Sequence, residues 1–336
     1  MSAPHPETWL YPQPQGLFCA PGDFFIDPLR KVDRAVITHG HSDHARPGNR
    51  AVLATAATLA IMRARGVAGQ SERAAAWGER IRVGEVTLWL EPAGHVLGSA
   101  QVAMEYRGSR AVVSGDYKRA PDATCDPFVP VPCDVFVTEA TFGLPVFRHP
   151  PGATEIARLL ASVALFPQRT HVIGCYSLGK TQRLISLLRA AGWDHPIYAH
   201  GALLPMCAVY AACGVDLGDL RPATLAAKSD LAGRIVLAPP SAIADPWAQR
   251  LTDTVVCLAS GWMRVRQRAK QGGVELPLIV SDHADWDELN ATLDEVAAPE
   301  VWVTHGSEAA LIHAAGLRGI RGRALRLVGY GDEDPA

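Results

Sequence analysis

The sequence predicts an α/β protein built in two parts, on three observations. Up to about residue 145 the chain reads mainly as short apolar strands; beyond it strands and amphipathic helices alternate; and several strands run directly into a histidine or a carboxylate. A length of 336 residues, set against roughly 150 residues per domain, corresponds to about two domains. Hydrophobic residues are 48%, charged 20% and aromatic 7% of the chain, which excludes a disordered, collagenous or coiled-coil class.

In chain order, Phe24–Asp27, Ala35–Thr38, Ala51–Ala54 and Val86–Leu90 read as strands, with a helix over Ala56–Arg65. Gln101–Arg107 alternates apolar and polar residues. Arg110–Ser114 ends at Gly115-Asp116, and Asp134–Thr138 ends at Glu139. Helices are then expected over Thr154–Phe166 and Leu178–Ala190, around strands His171–Cys175 and Pro196–Ala199, with later strands Arg234–Pro239 and Thr254–Ser260. After Gly272-Gly273 come strand Leu276–Ser281, helix Trp286–Val296, strand Val301–Thr304 and helix Ser307–Gly316. The proline-rich stretches Tyr11–Gln15 and Pro127–Pro132 read as connectors.

No apolar run approaches the roughly 18 residues needed to span a bilayer. The start, Met1 to Pro6, has no basic segment leading into an apolar one. A cytoplasmic protein with no membrane partner is expected. A net charge of -2 gives no global sign of nucleic-acid binding, so an anionic partner would have to be held locally. Seven cysteines, odd in number and without a C-x-x-C pair, fit reduced thiols better than a disulfide framework or a cysteine zinc site.

The chemistry is concentrated in His39-Gly40-His41-Ser42-Asp43-His44, directly after the apolar strand. Residues two apart in extended chain point the same way, so His39 and His41 can grip one cation with neutral imidazoles, while Asp43 and His44 offer half of a second site. Two cations a few ångströms apart are a device for phosphoryl or acyl hydrolysis. His95, in a loop between strands, Asp116, just past an apolar run, and His305, after a strand near the C-terminus, each read equally well as bland residues when taken singly. In combination they supply the missing ligands.

The order His39-x-His41-x-Asp43-His44, His95, Asp116 resembles the metallo-β-lactamase superfamily of hydrolases. Glu139 in Thr-Glu-Ala-Thr-Phe-Gly, His283 in Ser-Asp-His-Ala-Asp, and His305 in Val-Thr-His-Gly resemble motifs A, B and C of the β-CASP nucleases. The resemblance implies an αββα sandwich from residues 1–145 and 275–336, with a β-CASP α/β domain inserted over 146–274. It implies a first divalent metal on His39, His41, His95 and Asp116, and a second on Asp43, His44, Asp116 and His305. Manganese or zinc suits this donor set, and iron also fits. Asp27 would steady the ligand histidines, although Pro28 stands where the family usually has glycine. Glu139 would orient His283, which would donate a proton to the leaving oxygen.

Within the family the chain most resembles the bacterial ligase-associated DNA exonucleases. This implies two-metal, hydroxide-driven cleavage of single-stranded DNA or duplex ends in DNA repair, with a functional link to a ligase and a helicase. The histidine at motif C is the pattern of the RNA-processing branch, so a β-CASP RNA nuclease is the alternative. A competing motif, Gly174-Cys-Tyr-Ser-Leu-Gly-Lys180-Thr181, matches G-x-x-x-x-G-K-[ST] between a strand and a helix, which makes a P-loop NTPase the remote alternative. In its milder reading this helix start, with Ser177 and Lys180, holds a phosphate of the nucleic-acid backbone. Trp193, Trp247 and Trp262 would stack bases or, as favoured, simply pack.

Overall fold

The structure is a computed structural model and describes residues 3–251 and 253–325; the end of the expected C-terminal stretch, 326–336, lies outside the described residues. The chain divides into two compact units. One runs to Val146 and resumes at His283, and the other is Phe147–Asp282.

In the first unit, a six-stranded sheet runs in the order of the chain: β1 (Leu10–Gln13), β2 (Gly16–Cys19), β3 (Phe24–Ile26), β4 (Arg34–Val36), β5 (Ala51–Ala54) and β6 (Ser71–Ala74). A second sheet has seven strands. Its antiparallel half is β7 (Ile81–Val83), β8 (Val86–Pro92), β9 (Ala100–Tyr106) and β10 (Ser109–Val113). Then β11 (Val135–Ala140) joins β10 in parallel, followed by the parallel strands Glu300–Gly306 and Arg321–Ala324.

The side-chain period of two explains the layering. On β8, Val86, Leu88 and Leu90 enter a core shared with Leu10, Leu17, Phe24, Ile26 and Val36 of the first sheet, while Trp89 faces the other way. On β10 and β11, Ala111, Val113, Val135 and Val137 join that inner core, and Val112 and Phe136 join the outer one. The outer face is covered by Leu289, Leu293 and Val296 of helix Trp286–Val296 and by Leu311 and Ala315 of helix Glu308–Leu317. Against the outside of the first sheet, helix α1 (Ala56–Ala64) lays Leu59 and Met62 on Ala35, Ile37, Val52 and Ala54. Four layers result, helix, sheet, sheet, helix. Strands covered on both faces must be apolar throughout, which is why these read as continuous runs.

One expectation is corrected. Tyr11–Gln15 is not wholly a connector, because Tyr11–Gln13 lies in β1 and pairs with β2, Pro12 opposite Leu17. β1 is the sheet edge, where a residue lacking an N–H costs no ladder bond on the open side.

The second unit is a single parallel sheet of six strands: β12 (Thr170–Gly174), β13 (Ile197–Ala199), β14 (Leu220–Pro222), β15 (Ile235–Ala238), β16 (Thr254–Ala259) and β17 (Leu276–Leu278), ordered β14-β13-β15-β12-β16-β17. Helix α2 (Gly152–Leu165) precedes β12 and buries Ile156, Leu159 and Val163 at helical spacing, and α3 (Lys180–Ala190) follows β12. No helix among the described residues is long and apolar enough to cross a membrane.

Candidate metal centre

The centre lies at strand ends of the first unit, on the loops after β4, between β8 and β9, and after β10. The turn after β4 brings His39 Nε2 and His41 Nδ1 within 3.0 Å, and His95 Nε2 lies 3.0 Å from the same His41 nitrogen. Asp116 Oδ2 stands 3.4 Å from His39 Nε2 and 3.8 Å from His95 Nε2. A single proton on His41 Nδ1 can serve only one of its two imidazole neighbours. A tetrahedral cation with ligand bonds of about 2.0–2.1 Å would satisfy all of them, since it spaces its donor atoms by about 3.4 Å. The donor set therefore fits a divalent metal.

A second group shares the same carboxylate. His44 Nε2 is 3.3 Å from Asp116 Oδ2 and 3.4 Å from Asp43 Oδ2. His39, His41, His95 and Asp116 form one set of potential ligands, and Asp43, His44 and Asp116 another, with the donor atoms of each set within 4.8 Å of one another. His305, at the end of strand Glu300–Gly306, places its ring 5.7 Å from that of His44 and sits at φ 57°, a left-handed conformation.

The supporting groups explain the geometry. Asp27, at φ 44°, accepts from the Thr38 backbone N–H (2.8 Å), from the Thr38 hydroxyl (2.6 Å) and from His44 Nδ1 (2.7 Å). With Nδ1 on Asp27, Nε2 is the ring nitrogen turned toward Asp43 and Asp116, and once deprotonated it is the one that could bind a metal. The Ser99 hydroxyl accepts from the backbone N–H groups of His95 and Val96, at 3.0 and 3.1 Å, fixing the His95 loop. Arg65 clamps the turn by donating to the Gly40 carbonyl. Gly115, at φ 57°, lies so close to Thr38 that a Cβ there would meet it at 2.8 Å, so the residue that delivers Asp116 must be glycine. Thr38, Ser99 and Arg65 were not singled out by sequence. Only Thr38 and Ser99 carry a local signal, as hydroxyl residues beside a ligand histidine.

Charge is arranged to receive a cation. Burial holds the His39 imidazole well below its ordinary range, as does the neighbouring His44. Burial pulls His44 in the same direction, but the carboxylates of Asp116, Asp43 and Asp27 outweigh it, and His44 stands well above its usual value. Asp116 stays well below the carboxylate range: burial opposes its charge, and the imidazoles of His44 and His39 overcome that opposition. Burial also depresses His305.

Beside the ligands lies a histidine–carboxylate pair. Glu139, 1% exposed at the end of β11, lies 2.9 and 3.1 Å from His283 Nδ1 and accepts from the Tyr117 N–H at 2.7 Å. The His283 ring rests 4.6 Å from that of His95. Its segment is pinned by Ala284 N–H on the Tyr117 carbonyl (2.6 Å) and by Asp285, which accepts from the first amides of helix Trp286–Val296. All the metal and catalytic residues expected from the sequence in this unit thus converge: Asp27, His39, His41, Asp43, His44, His95, Asp116, Glu139, His283 and His305.

The residues expected to hold phosphate lie in the second unit. Lys180, 4% exposed, gives its ammonium to the Val280 carbonyl (2.9 Å) and to Asp282 (2.9 Å), which also pairs with Arg183 (3.1 Å). In the loop before it, Gly179 N–H binds Gln182 Oε1, Thr181 N–H binds the Tyr176 carbonyl, and Ser177 Oγ donates to the Ala202 carbonyl at 3.4 Å. A P-loop turns such amides and its lysine toward phosphate. Here the Gly179 and Thr181 amides and the Lys180 ammonium are bonded within the unit instead.

The four-layer fold, the clusters of potential ligands at strand ends and the inserted parallel unit have the architecture of the metallo-β-lactamase fold with a β-CASP insert. No protein-family model matches the chain. Similarity to known proteins is nonetheless extensive. The chain is 26% identical over 318 residues, 92% of its length, to a "Probable DNA ligase" of Opitutus terrae. It is 28% identical over 215 residues to the "Ribonuclease TTHA0252" of Thermus thermophilus and 34% identical over 110 residues to the "Endoribonuclease ysh1" of Emericella nidulans. These matches cover 56% and 31% of this chain. The chain spans only part of each relative, 30% of the first, 47% of the second and 12% of the third.

Proposed function

We propose that the protein is a metal-dependent nuclease that hydrolyses phosphodiester bonds, with DNA as its substrate. The observation that carries the reading is the pair of ligand sets joined through Asp116. His39, His41, His95 and Asp116 would hold one divalent cation, and Asp43, His44, Asp116 and His305 a second. Such cations supply Lewis acidity, making water nucleophilic near neutral pH and offsetting negative charge that builds on phosphoryl oxygens.

The chain's own residues do the rest. Asp27 and Thr38 hold the His44 ring in orientation. Glu139 fixes His283 in the tautomer with a proton on Nδ1 and stabilises the imidazolium, so that His283, once protonated, delivers a proton from Nε2 to the departing oxygen. The Phe142 ring, edge-on to His283 at 6.1 Å, walls off one side of it.

DNA exonuclease action, in repair alongside a ligase and a helicase, is favoured by the relative that matches along most of this chain and is named a probable DNA ligase. The RNA reading is favoured by the relatives named as ribonucleases and by histidine at position 305. The test is cleavage of end-labelled single-stranded DNA and matched RNA with added manganese, zinc or magnesium. DNA shortening that needs metal and disappears in Asp43→Ala and His283→Ala is expected. Cleavage of RNA alone would transfer the assignment to RNA processing, and inertness toward both would remove the nuclease reading.

A further inference from the structure

The first turn of helix Trp286–Val296 holds more than a helix start needs. Asp285 accepts from the Asp287 and Glu288 amides, and Glu288 Oε2 returns the bond to the Asp285 N–H at 3.1 Å, a reciprocal box that satisfies the orphan donors. Glutamine at this position would complete such a box equally well, so the cap alone calls for no charge. The second oxygen of Glu288 goes elsewhere. Oε1 accepts from the Ala120 N–H at 2.7 Å, across 168 positions of sequence, and Oε2 also lies 3.3 Å from the Lys118 ammonium.

Both ends of this bridge lead to the metal centre. Asp285 stands two residues past His283 and Ala120 four past Asp116, all within the first unit. The same two segments meet where Ala284 N–H donates to the Tyr117 carbonyl at 2.6 Å, and where Glu139 accepts from the Tyr117 N–H while it holds His283 Nδ1. Farther along, Arg119 donates to the Thr292 hydroxyl at 3.1 Å and to both oxygens of Glu295 at 2.8 and 2.9 Å. Two carboxylates thus join the segments, Glu139 at the reacting groups and Glu288 at the helix start. The Lys118 and Glu288 side chains are 10% and 20% exposed, so salt screens their attraction less than that of a surface pair.

We propose that Glu288 is a positioning residue: it fixes the loop that carries Asp116 against the turn that carries His283, and so sets where the proton donor stands relative to the carboxylate shared by both ligand sets. The kinetic consequence rests on the nuclease reading; the spatial one does not. Proton transfer to a leaving oxygen needs hydrogen-bond reach, and a displacement of about 1 Å costs on the order of a hundredfold in rate. A residue that only caps the helix would contribute to stability and leave the rate unchanged.

The test compares the full chain with Glu288→Ala, Glu288→Gln and a control on the same helix, Asp294→Asn, whose carboxylate pairs with Arg318. The first readout needs no metal. The low-field proton resonance of His283 Nδ1–H, identified by its absence from His283→Gln, should be present in the unaltered protein and the control, lost in Glu288→Ala and partly restored in Glu288→Gln. The second is steady-state hydrolysis with manganese of bis(p-nitrophenyl) phosphate, whose nitrophenolate departs without a proton, and of oligothymidine (oligouridine where only RNA is cut), whose alkoxide needs one. Glu288→Ala should lower kcat on the oligonucleotide about a hundredfold at unchanged KM, and on the nitrophenyl diester far less. If Glu288→Ala does not fold, Glu288→Gln carries both readouts with the same sign and smaller size. A resonance that survives the substitution or is absent from the unaltered protein, equal falls on both substrates, or lost stability at unchanged kcat overturns the proposal. A resonance that behaves as expected in a protein that hydrolyses neither substrate counts against the nuclease reading and leaves the positioning supported.

Discussion

Replacing Asp282 by asparagine removes a carboxylate shared by two buried cations. Lys180, Arg183 and Asp282 are each no more than 5% exposed, and the ion pairs measure 2.9 and 3.1 Å. The amide fills the same space, so the loss is electrostatic: an ammonium and a guanidinium remain in a site with little water, the first donating to the Val280 carbonyl and the second to the Ser281 carbonyl. Breaking a buried pair in this way costs about 3–5 kcal/mol. For a chain of 336 residues unfolding as one unit, that corresponds to a fall in melting temperature of about 4–7 °C. Urea denaturation followed by far-UV circular dichroism should show a lower midpoint at unchanged slope. A loss below about 1 kcal/mol would be that of an exposed pair and would refute the argument that the triad is dry. Lys180→Met separates the two readings of the same lysine. It should destabilise the fold and change no nucleotide binding, whereas a P-loop would lose nucleotide and keep its stability.

Further outcomes are expected. Asp27→Ala frees the His44 ring and should lower affinity for the second metal about 10- to 100-fold in a chelator competition; an unchanged affinity would mean that Thr38 and packing suffice. Because His44 is raised well above 6.5 while His39 is lowered, the three-histidine set should load metal at lower pH than the His44 set. Metal content after dialysis from pH 5.5 upward checks this, and filling of both sets together would contradict it. In the metal-free protein the stabilisation from His44 should be fully present below 6.5 and disappear as pH rises through its raised folded value. His171 is shifted the other way by burial, so its unfolded form takes the proton first and stability should fall as pH drops below 6.5. A urea midpoint that moves between pH 7.5 and 5.5, with the dependence flattened in His171→Gln, is the expected result. Leu293→Ala, on the buried face of helix Trp286–Val296, should cost about 2–5 kcal/mol in the same assay.

Most of the centre was legible because its ligands come as chemistry at strand ends. His39, His95 and Asp116 follow or precede apolar runs whose own burial on two faces marks them as strands, and helix Trp286–Val296 begins and ends where its capping residues and periodicity place it. The edges were harder to read. β1 and β14 each contain a proline and bury little, so neither alternation nor propensity marks them, and only pairing to a neighbour makes them strands. The supporting groups were equally hidden: Arg65 reaches Gly40 across a separation of 25 residues, which no local pattern encodes.

The motif at 174–181 shows where letters stop and physics decides. Strand, glycine loop, lysine and helix are all present in the order a phosphate cradle needs. What makes a cradle is that its amides and lysine remain available for an anion, and that depends on residues a hundred positions away. Asp282 meets Lys180 and Arg183, and the Val280 carbonyl takes a further ammonium hydrogen. The same Asp282 is covalently joined to His283, whose ring Glu139 holds. A lysine with the sequence signature of a nucleotide ligand is thus used to neutralise the carboxylate next to His283.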